Sequence, residues 1–466
     1  MNASLTEGKV SRLLIRFSLP FLLSSLIQTA YSSVDIFFLG RFAAPESLAG
    51  AANGAPLIAT VASLFMGLAS GGMILLGQFY GGKREEESAR TTGNTILLQF
   101  VIAILSMTLI FLLGKTFIRL MDVPVRVEGA ALGADEEAWN YMRICIVGII
   151  FNTGYGTISS ILRALGNSKT PLIFVAISCL MNIVLDYIFV GPLELGASGA
   201  AIATVISQIC SFGISLVYIL RKKLPYRFAL RHIRPDWELL GRILKLGIPI
   251  SLQTVLNVFS FLVIGRIING MGLFAAAANG IVNNLVNFYM IIPMSIGSAL
   301  SAISAQNFGA GKPERAIYSA KLGILFSLII AVPCTIFASL HPTPIVSLLS
   351  TDPDVIRASA EFLIPFSWDC LFVSFVFCVN GFFNGCGITS FVAVHETVAA
   401  FAVRIPLSWA LGRIPGATLF HIGIGTPAAT LASLVMCVIY YKVKLAGGKL
   451  ARLRGAGAAP EIDAGA

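Results

Sequence analysis

Four acidic residues lie well inside long apolar stretches of the chain, namely Asp35, Asp186, Asp369 and Glu396. Asp35, for example, is the only charged residue in the stretch 17–40. If such a stretch crosses a bilayer, an aspartate near its centre costs about 2.5–3.5 kcal/mol on insertion scales. Acids that persist at this cost are functional candidates by default, so these four side chains are the first candidates for ion or proton chemistry.

Asn182 and Asp186 are four positions apart, which places both on one face of a helix. An amide oxygen beside a carboxylate suits either Na⁺ binding or a carboxylate that traps a proton. Asp35 could complete this group from an earlier segment, and Thr204 could add a hydroxyl. Spacing alone does not show that these segments meet. Hydrogen bonds between neighbouring helices therefore remain the alternative role for Asp35 and Asp186.

A second polar group, in the C-terminal half, consists of Asp369, Glu396 and Arg404, with His395 beside Glu396. One of the two acids is expected to pair with Arg404 as a buried ion pair that stabilises the fold. A role in substrate or proton binding is the alternative. We expect the isolated His395 to be structural.

The composition requires lipid as the solvent for the apolar stretches. The chain has 466 residues, of which 56% are hydrophobic and 12% charged, and its mean hydropathy is +0.84. A soluble domain carries about 25% charged residues. We therefore predict an all-α polytopic membrane protein, because helices satisfy their own backbone hydrogen bonds in lipid. Twelve apolar segments are long enough to span a bilayer: 13–39, 46–76, 92–114, 138–162, 170–190, 198–220, 243–268, 274–304, 316–340, 358–384, 389–411 and 422–441.

Several other classes of protein find no support in the motifs. No GxxxxGK[ST] phosphate loop is present, and the four histidines are scattered without an HExxH pattern. We expect no ATP drive, no enzymatic activity and no cofactor beyond a coupling ion. The net charge of +10 does not indicate a nucleic-acid partner, because the basic residues lie in short loops beside apolar segments. The eight cysteines lack metal-ligand spacing and are predicted to be small core residues.

The loops predict the topology. Basic residues concentrate at both termini and in the loops after even-numbered segments, which the positive-inside rule assigns to the cytoplasm. We predict a multi-pass plasma-membrane protein with both termini inside and no cleaved signal peptide. The longest loop, 221–242, is strongly basic. It is expected to be a positively charged linker, with acidic-lipid binding as the alternative. The tail 446–466 is expected to be disordered.

The two halves of the chain repeat each other. Because six segments separate matching motifs, both halves enter the bilayer the same way up. This predicts six-helix lobes, 1–220 and 243–445, related by a pseudo-two-fold axis along the membrane normal, with a central cleft typical of transporters. Counting from the matched prolines places Asp35 opposite Ile264, so the acid exists in one half only. The matching pairs are "RFSLPF" (16–21) with "KLGIPI" (245–250), "AANG" (51–54) with "AANG" (277–280), and "GQFYGGKREEESA" (77–89) with "AQNFGAGKPERA" (305–316).

The chain resembles the prokaryotic branch of the multidrug and toxic compound extrusion (MATE) family, which belongs to a wider superfamily of exporters. The resemblance covers about residues 5–445. It rests on five motifs in family order: "LTEGKVSRLLIRFSLPF", "VDIFFLGR", "GQFYGGK", "ILRALGNSKTP" and "MNIVLDYIFVGPLELGASGAAIAT". It implies a V-shaped bundle of two six-helix lobes that exports organic cations and amphipathic compounds in exchange for Na⁺ or H⁺.

The resemblance also implies roles for individual residues. It implies that Asp35 on the first span, Asn182 and Asp186 on the fifth and Thr204 on the sixth form an ion site in the N-terminal lobe, with Na⁺ as a possible ligand. Some relatives place an ion site in the C-terminal lobe on a glutamate of the seventh span. Here that span reads "SLQTVLNVFSF" without an acid, so no such site is expected.

The predicted cleft would bind a small cationic or amphipathic substrate in a monomeric protein. The alternative is a lipid-linked-saccharide flippase of the same wider superfamily, which would need basic residues in the cavity, with Arg163 and Arg404 as the main candidates. Met and aromatic side chains suit a promiscuous apolar pocket. The polar and apolar candidates for lining the cleft are Gln28, Tyr31, Asn53, Asn152, Asn279, Asn283, Asn287 and Met290, with Asn284, Met294 and Phe383 as further candidates.

Overall fold

The computed structural model describes residues 4–120, 133–222 and 224–446, and these residues are almost entirely helical. Within them, twelve helices are long and apolar enough to cross a membrane, which confirms the predicted number and order. We label these helices α1 to α12 in chain order: Val10–Phe42, Pro45–Gly81, Glu85–Arg119, Ala134–Ala164, Lys169–Val190, Gly196–Arg221, Trp237–Asn269, Leu273–Gly309, Pro313–Leu340, Pro353–Gly385, Thr389–Leu411 and Leu419–Leu445.

Most helices extend past the apolar segments that predict them. Helix α3 begins at Glu85, several residues before its apolar segment, and three glutamates occupy its first turn. Acidic side chains at a helix N-terminus interact favourably with the helix dipole, so polar turns of this kind continue the helix beyond the bilayer. Helix α7 likewise begins at Trp237, inside the predicted linker 221–242. The linker is therefore shorter than predicted, and it contains a single 3-10 turn, Leu230–His232.

The chain divides into two compact units. Unit 1 contains Leu19–Leu76 and Arg84–Ser251, and unit 2 contains Ser4–Ser18, Gly77–Lys83 and the chain from Leu252 onward. The predicted lobes divide the chain at the sequence repeat. The compact units divide it differently, because unit 2 also contains Ser4–Ser18 and Gly77–Lys83 from the N-terminal half and unit 1 continues to Ser251. The tail 446–466 is predicted to be disordered. From residue 447 onward it lies outside the described part of the chain.

Two repeat-matched prolines lie close to the points where helices pass between units. Pro20 lies inside α1, next to the change of unit after Ser18, and Pro249 lies inside α7, next to the change after Ser251. A proline inside a helix removes one backbone hydrogen bond and disturbs the preceding turn. In α1 the Ser24 hydroxyl donates to the Pro20 carbonyl at 2.7 Å. The matched prolines thus mark equivalent weak points in the first helix of each repeat.

In unit 2, the repeated "GQFYGG" and "AQNFGA" motifs pack against each other through glycines. A Cβ atom added at Gly81 would lie 2.1 Å from the backbone oxygen of Gln306. A Cβ atom added at Gly309 would lie 1.8 Å from the backbone oxygen of Gln78. Glycine allows backbones to approach this closely in membrane proteins. The contact is reciprocal because the two glycines occupy equivalent positions of the repeat.

Candidate functional site

Three helices of unit 1 bring together the four residues of the predicted ion site. Helix α1 supplies Asp35, α5 supplies Asn182 and Asp186, and α6 supplies Thr204. The Thr204 hydroxyl donates to Oδ2 of Asp35 at 3.4 Å. The side chains of Asp186 and Asn182 are near enough to the Asp35 carboxylate to affect its charge, but no hydrogen bond joins them to it among the described residues. Segments that the sequence could not place next to each other therefore meet in the fold.

The group is buried and its hydrogen bonding is incomplete. Asn182 and Asp186 are fully buried, Thr204 is 8% exposed, and Asp35 is half-buried. Among the described residues, both carboxylate oxygens of Asp186, both amide atoms of Asn182 and Oδ1 of Asp35 have no hydrogen-bond partner. A buried polar group left unpaired costs about 1–3 kcal/mol. The oxygen set of two carboxylates, an amide and a hydroxyl suits a hard cation such as Na⁺, or a shared proton.

Small residues on α6 explain why the helices approach each other here. Ala197, Ala200 and Ala201 are fully buried and pack in one apolar cluster with Leu39 of α1 and Val190 of α5. Side chains of this size let helix backbones come close in a membrane protein. The sequence "GASGAAIAT" therefore positions Thr204 beside the acids of α1 and α5.

Aromatic contacts fix α1 against α5 next to the carboxylates. The ring of Tyr187, which follows Asp186, has its centroid 6.2 Å from that of Phe38 and 6.4 Å from that of Phe42. Tilted and edge-to-face aromatic pairs at these separations contribute about 0.5–1.5 kcal/mol each. These contacts keep Asp35 and Asp186 facing each other.

The prediction that Arg404 forms a direct ion pair in the C-terminal half is wrong. Among the described residues, no salt bridge with an N–O distance of 4.0 Å or less joins Arg404 to Asp369 or to Glu396. Arg404 instead donates to Oδ1 of Asn257 at 2.8 Å and lies 4.5 Å above the Phe261 ring. Arg404 is the last residue of a π-helical turn, Ala399–Arg404, in which the regular α-helical spacing of α11 does not hold. The two acids remain near enough to interact with its charge.

A hydrogen-bonded chain around His395 links three helices of unit 2. Asn380 of α10 donates through Nδ2 to Glu396 at 2.8 Å. Its Oδ1 therefore accepts from Nε2 of His395 at 3.1 Å, and Nδ1 of His395 accepts from the Ser433 hydroxyl of α12 at 2.8 Å. Sequence reasoning missed Asn380 and Ser433. The amide of Asn380 in the apolar run "FVFCVNGFF" is the signal that could have found the first of them.

The structure describes the predicted cleft residues only within their own units, so the cleft itself remains a prediction. Asn283 donates to Asn279 at 2.9 Å, and Asn53 donates to the Ala49 carbonyl at 2.7 Å. Phe383 is a wrong candidate, because it is fully buried in an apolar cluster with Phe382 and Cys386. The side chain of Tyr31 lies outside the described part. Four of the cleft candidates are half-buried, namely Asn152, Asn279, Asn283 and Met290. Four others are exposed, namely Gln28, Asn284, Asn287 and Met294.

Twelve membrane-length helices among the described residues, an internal repeat and buried acids together give the architecture of a membrane transporter. The family profile MatE matches residues 20–188 and 249–410, and the chain therefore belongs to the MatE family. This confirms the resemblance to MATE transporters that the sequence motifs indicate. One matched range lies in each half of the chain, so the profile covers most of both halves of the repeat.

Two relatives and a solved structure cover between 76% and 98% of the chain. The "Probable multidrug resistance protein YoeA" of Bacillus subtilis (strain 168) is 28% identical over 444 residues, 94% of this chain and 94% of that protein. The "FAD transporter" of Shewanella oneidensis is 28% identical over 376 residues, 76% of this chain and 77% of that protein. A crystal structure of a MATE protein in complex with MaL6 has a TM-score of 0.86 at 18% identity, with 98% of each chain covered. This last likeness concerns the fold.

Proposed function

We propose that this MatE-family protein is a secondary active antiporter that exports a small organic cation or amphipathic compound in exchange for Na⁺ or H⁺. The observation that carries the proposal is the group of Asp35, Asn182, Asp186 and Thr204, in which both oxygens of Asp186, the amide oxygen of Asn182 and Oδ1 of Asp35 have no hydrogen-bond partner among the described residues. Two carboxylates that approach each other in a low dielectric repel unless a cation or a proton intervenes. The coupling ion would supply that missing charge.

Coupling requires that the ion and the exported compound favour different conformations, because a ligand with equal affinity for both shifts nothing. Asp35 lies on α1, the helix that also contains Pro20. A helix interrupted by proline lacks one backbone bond and can bend or repack at that point. We infer that arrival of the ion at Asp35 repacks α1 and drives release of the compound outward.

The names of relatives support two classes of substrate. The relative named as a probable multidrug resistance protein favours amphipathic, drug-like compounds. The relative named as an FAD transporter favours a second candidate, a larger metabolite exported by the same ion-coupled cycle.

The flippase alternative is less well supported. Arg163 lies 4.5 Å from the Phe21 ring, and Arg404 donates to Asn257. Both arginines that could line a basic cavity for a saccharide diphosphate are thus engaged by neighbours in their own units.

The proposed location is the plasma membrane, with both termini in the cytoplasm and the monomer as the functional form. The loops that follow even-numbered helices and the two ends of the chain are basic, which supports this orientation.

The proposal is tested with purified protein in phospholipid vesicles that contain no nucleotide. A Na⁺ gradient and a pH gradient are imposed separately, and transport of a fluorescent organic cation is followed. We expect one of the two gradients to drive transport, and its collapse by the matching ionophore to stop it. A strict requirement for ATP, or transport that continues after both gradients are collapsed, would contradict the proposal.

A further inference from the structure

A cavity of about 510 Å³ in unit 1 lies between the start of α3 and the loop before α7, away from the buried carboxylates. Charged side chains dominate its lining, which includes Glu86, Arg90, Arg231, His232, Arg234 and Asp236. We call this the loop cavity. The proposed antiport mechanism uses none of these residues.

The loop that forms this cavity is firmly attached to α3. The Tyr226 hydroxyl lies 2.6 Å from the Thr92 hydroxyl, and the backbone N–H of Asp236 donates to Asn94 at 2.9 Å. At Gly93, an added Cβ atom would lie 2.0 Å from the backbone oxygen of His232. Glycine therefore lets the loop backbone lie directly against the helix. Hydrogen bonds and close packing join the two walls of the cavity, so its shape is fixed by the fold.

His232 directs a buried donor into the loop cavity. Its side chain is 5% exposed, and its Nδ1 accepts the backbone N–H of Ala229 at 3.0 Å. Nδ1 therefore carries no hydrogen, and the ring hydrogen is on Nε2. Among the described residues Nε2 has no hydrogen-bond partner; the nearest acid is Glu86, at 3.6 Å, on a side chain that is 66% exposed. Buried N–H donors in folded proteins almost always have a partner, so we infer that an acceptor atom of a ligand binds Nε2–H of His232.

The charges around this donor are mainly positive. Asp236 is already engaged, since its carboxylate pairs with Arg90 and accepts the backbone N–H of Leu239 at 3.2 Å. Arg231 and Arg234 are exposed, and neither forms a salt bridge among those described for the chain. Two free guanidinium groups and one N–H donor thus face a single solvated carboxylate, that of Glu86.

We propose that the loop cavity binds a phosphate-bearing anion through Arg231, Arg234 and Nε2–H of His232. Guanidinium groups bind phosphate oxygens in bidentate, charge-assisted hydrogen bonds, and a third donor fixes the orientation of the group. Leu230 and Trp237, both 81% exposed, flank the lining residues. Trp side chains are enriched where a membrane protein meets the lipid–water boundary, which phospholipid headgroups can reach. The phosphate group therefore belongs either to a phospholipid headgroup or to a soluble anion.

The test uses the full-length protein in phosphatidylcholine nanodiscs and two phosphate probes. In one arm phosphatidic acid is added to the nanodisc, and in the other inorganic phosphate is added to the buffer at constant ionic strength. The midpoint of thermal unfolding, followed against probe concentration, gives an apparent Kd. Stabilisation by phosphatidic acid alone assigns the site to a lipid headgroup, whereas stabilisation by inorganic phosphate assigns it to a soluble anion, and either result supports the proposal.

Two matched double variants separate a built site from general surface charge. Arg231→Gln with Arg234→Gln should raise the apparent Kd roughly tenfold or more, since it removes two charge-assisted contacts. Arg221→Gln with Lys222→Gln removes the same charge from exposed positions that do not line the cavity and should leave the Kd unchanged. His232→Asn, which keeps an acceptor for Ala229 and removes the Nε2 donor, should also weaken binding. No stabilisation by either probe, or an equal loss in both double variants, would overturn the proposal.

Discussion

At the scale of single residues, His395 shows how a polar group becomes part of the fold inside a membrane. The ring is 1% exposed and lies in hydrogen-bond contact with Asn380 and Ser433. His395→Leu would leave Oδ1 of Asn380 and the Ser433 hydroxyl buried without the partner that each has now, at about 1–3 kcal/mol each. We expect a clearly lower midpoint of thermal unfolding in detergent. The control is His341→Leu at an exposed position of the same unit, where a surface substitution changes stability by about 0.5 kcal/mol or less. Lost transport at unchanged stability in His395→Leu would contradict a structural role.

The residue scale also shows which parts of the site the sequence can predict. Asn182 and Asp186 follow from their spacing on one helix face, and Asp35 from its position in an apolar span. Thr204 comes only from the family resemblance, because a hydroxyl in a membrane helix is common and carries no signal of its own. The prediction for Arg404 fails because its guanidinium group donates to Asn257 instead. Arg404 also ends a π-helical turn, and such a turn has no mark in the hydrophobic pattern.

At the scale of helices, the contact of Gly81 and Gly309 in unit 2 can be tested by adding a methyl group. Gly309→Ala would place a methyl group 1.8 Å from the backbone oxygen of Gln78, so the two chain segments would have to separate. We expect a strong loss of folded protein, measured as the monodisperse fraction in size-exclusion chromatography. Gly280→Ala on the same helix α8 is the matched control, because an added Cβ there meets nothing within 4 Å and alanine favours a helix. Equal yields of the two variants would contradict a close-packed contact.

The apolar pattern predicts the helices well and their ends poorly. All twelve spans follow from runs of apolar residues, since a bilayer imposes a minimum length on each of them. The ends differ because helices continue past the lipid, where hydrophobicity no longer reports on structure. The start of α7 at Trp237 is an example, because Asp236 caps the helix by accepting the backbone N–H of Leu239. The loop cavity depends on this detail and was not predictable from composition.

At the scale of the whole molecule, the repeat is symmetric in its helices and asymmetric in its chemistry. Ile264, the repeat counterpart of Asp35, is 3% exposed and belongs to an apolar cluster of unit 2 with Ile268 and Val282. The repeat counterpart of Asp35 therefore offers no oxygen ligand, and the proposed ion site concerns the acids of unit 1. Asp369 provides the internal comparison, because it is a buried acid of unit 2 whose Oδ1 also lacks a hydrogen-bond partner in the described chain. We propose that the acids of unit 1, and not Asp369, couple transport to the ion.

The most direct test of that assignment is ion-driven export by wild-type protein and by Asp35→Asn, Asp186→Asn and Asp369→Asn, reconstituted in equal amounts. Each substitution keeps the side-chain shape and removes one charge, so all three variants are expected to insert and fold. We expect Asp35→Asn and Asp186→Asn still to bind the exported compound but to lose export driven by a Na⁺ or pH gradient, whereas Asp369→Asn retains it. Wild-type export with unchanged Na⁺ and pH dependence in both unit 1 variants would contradict the account.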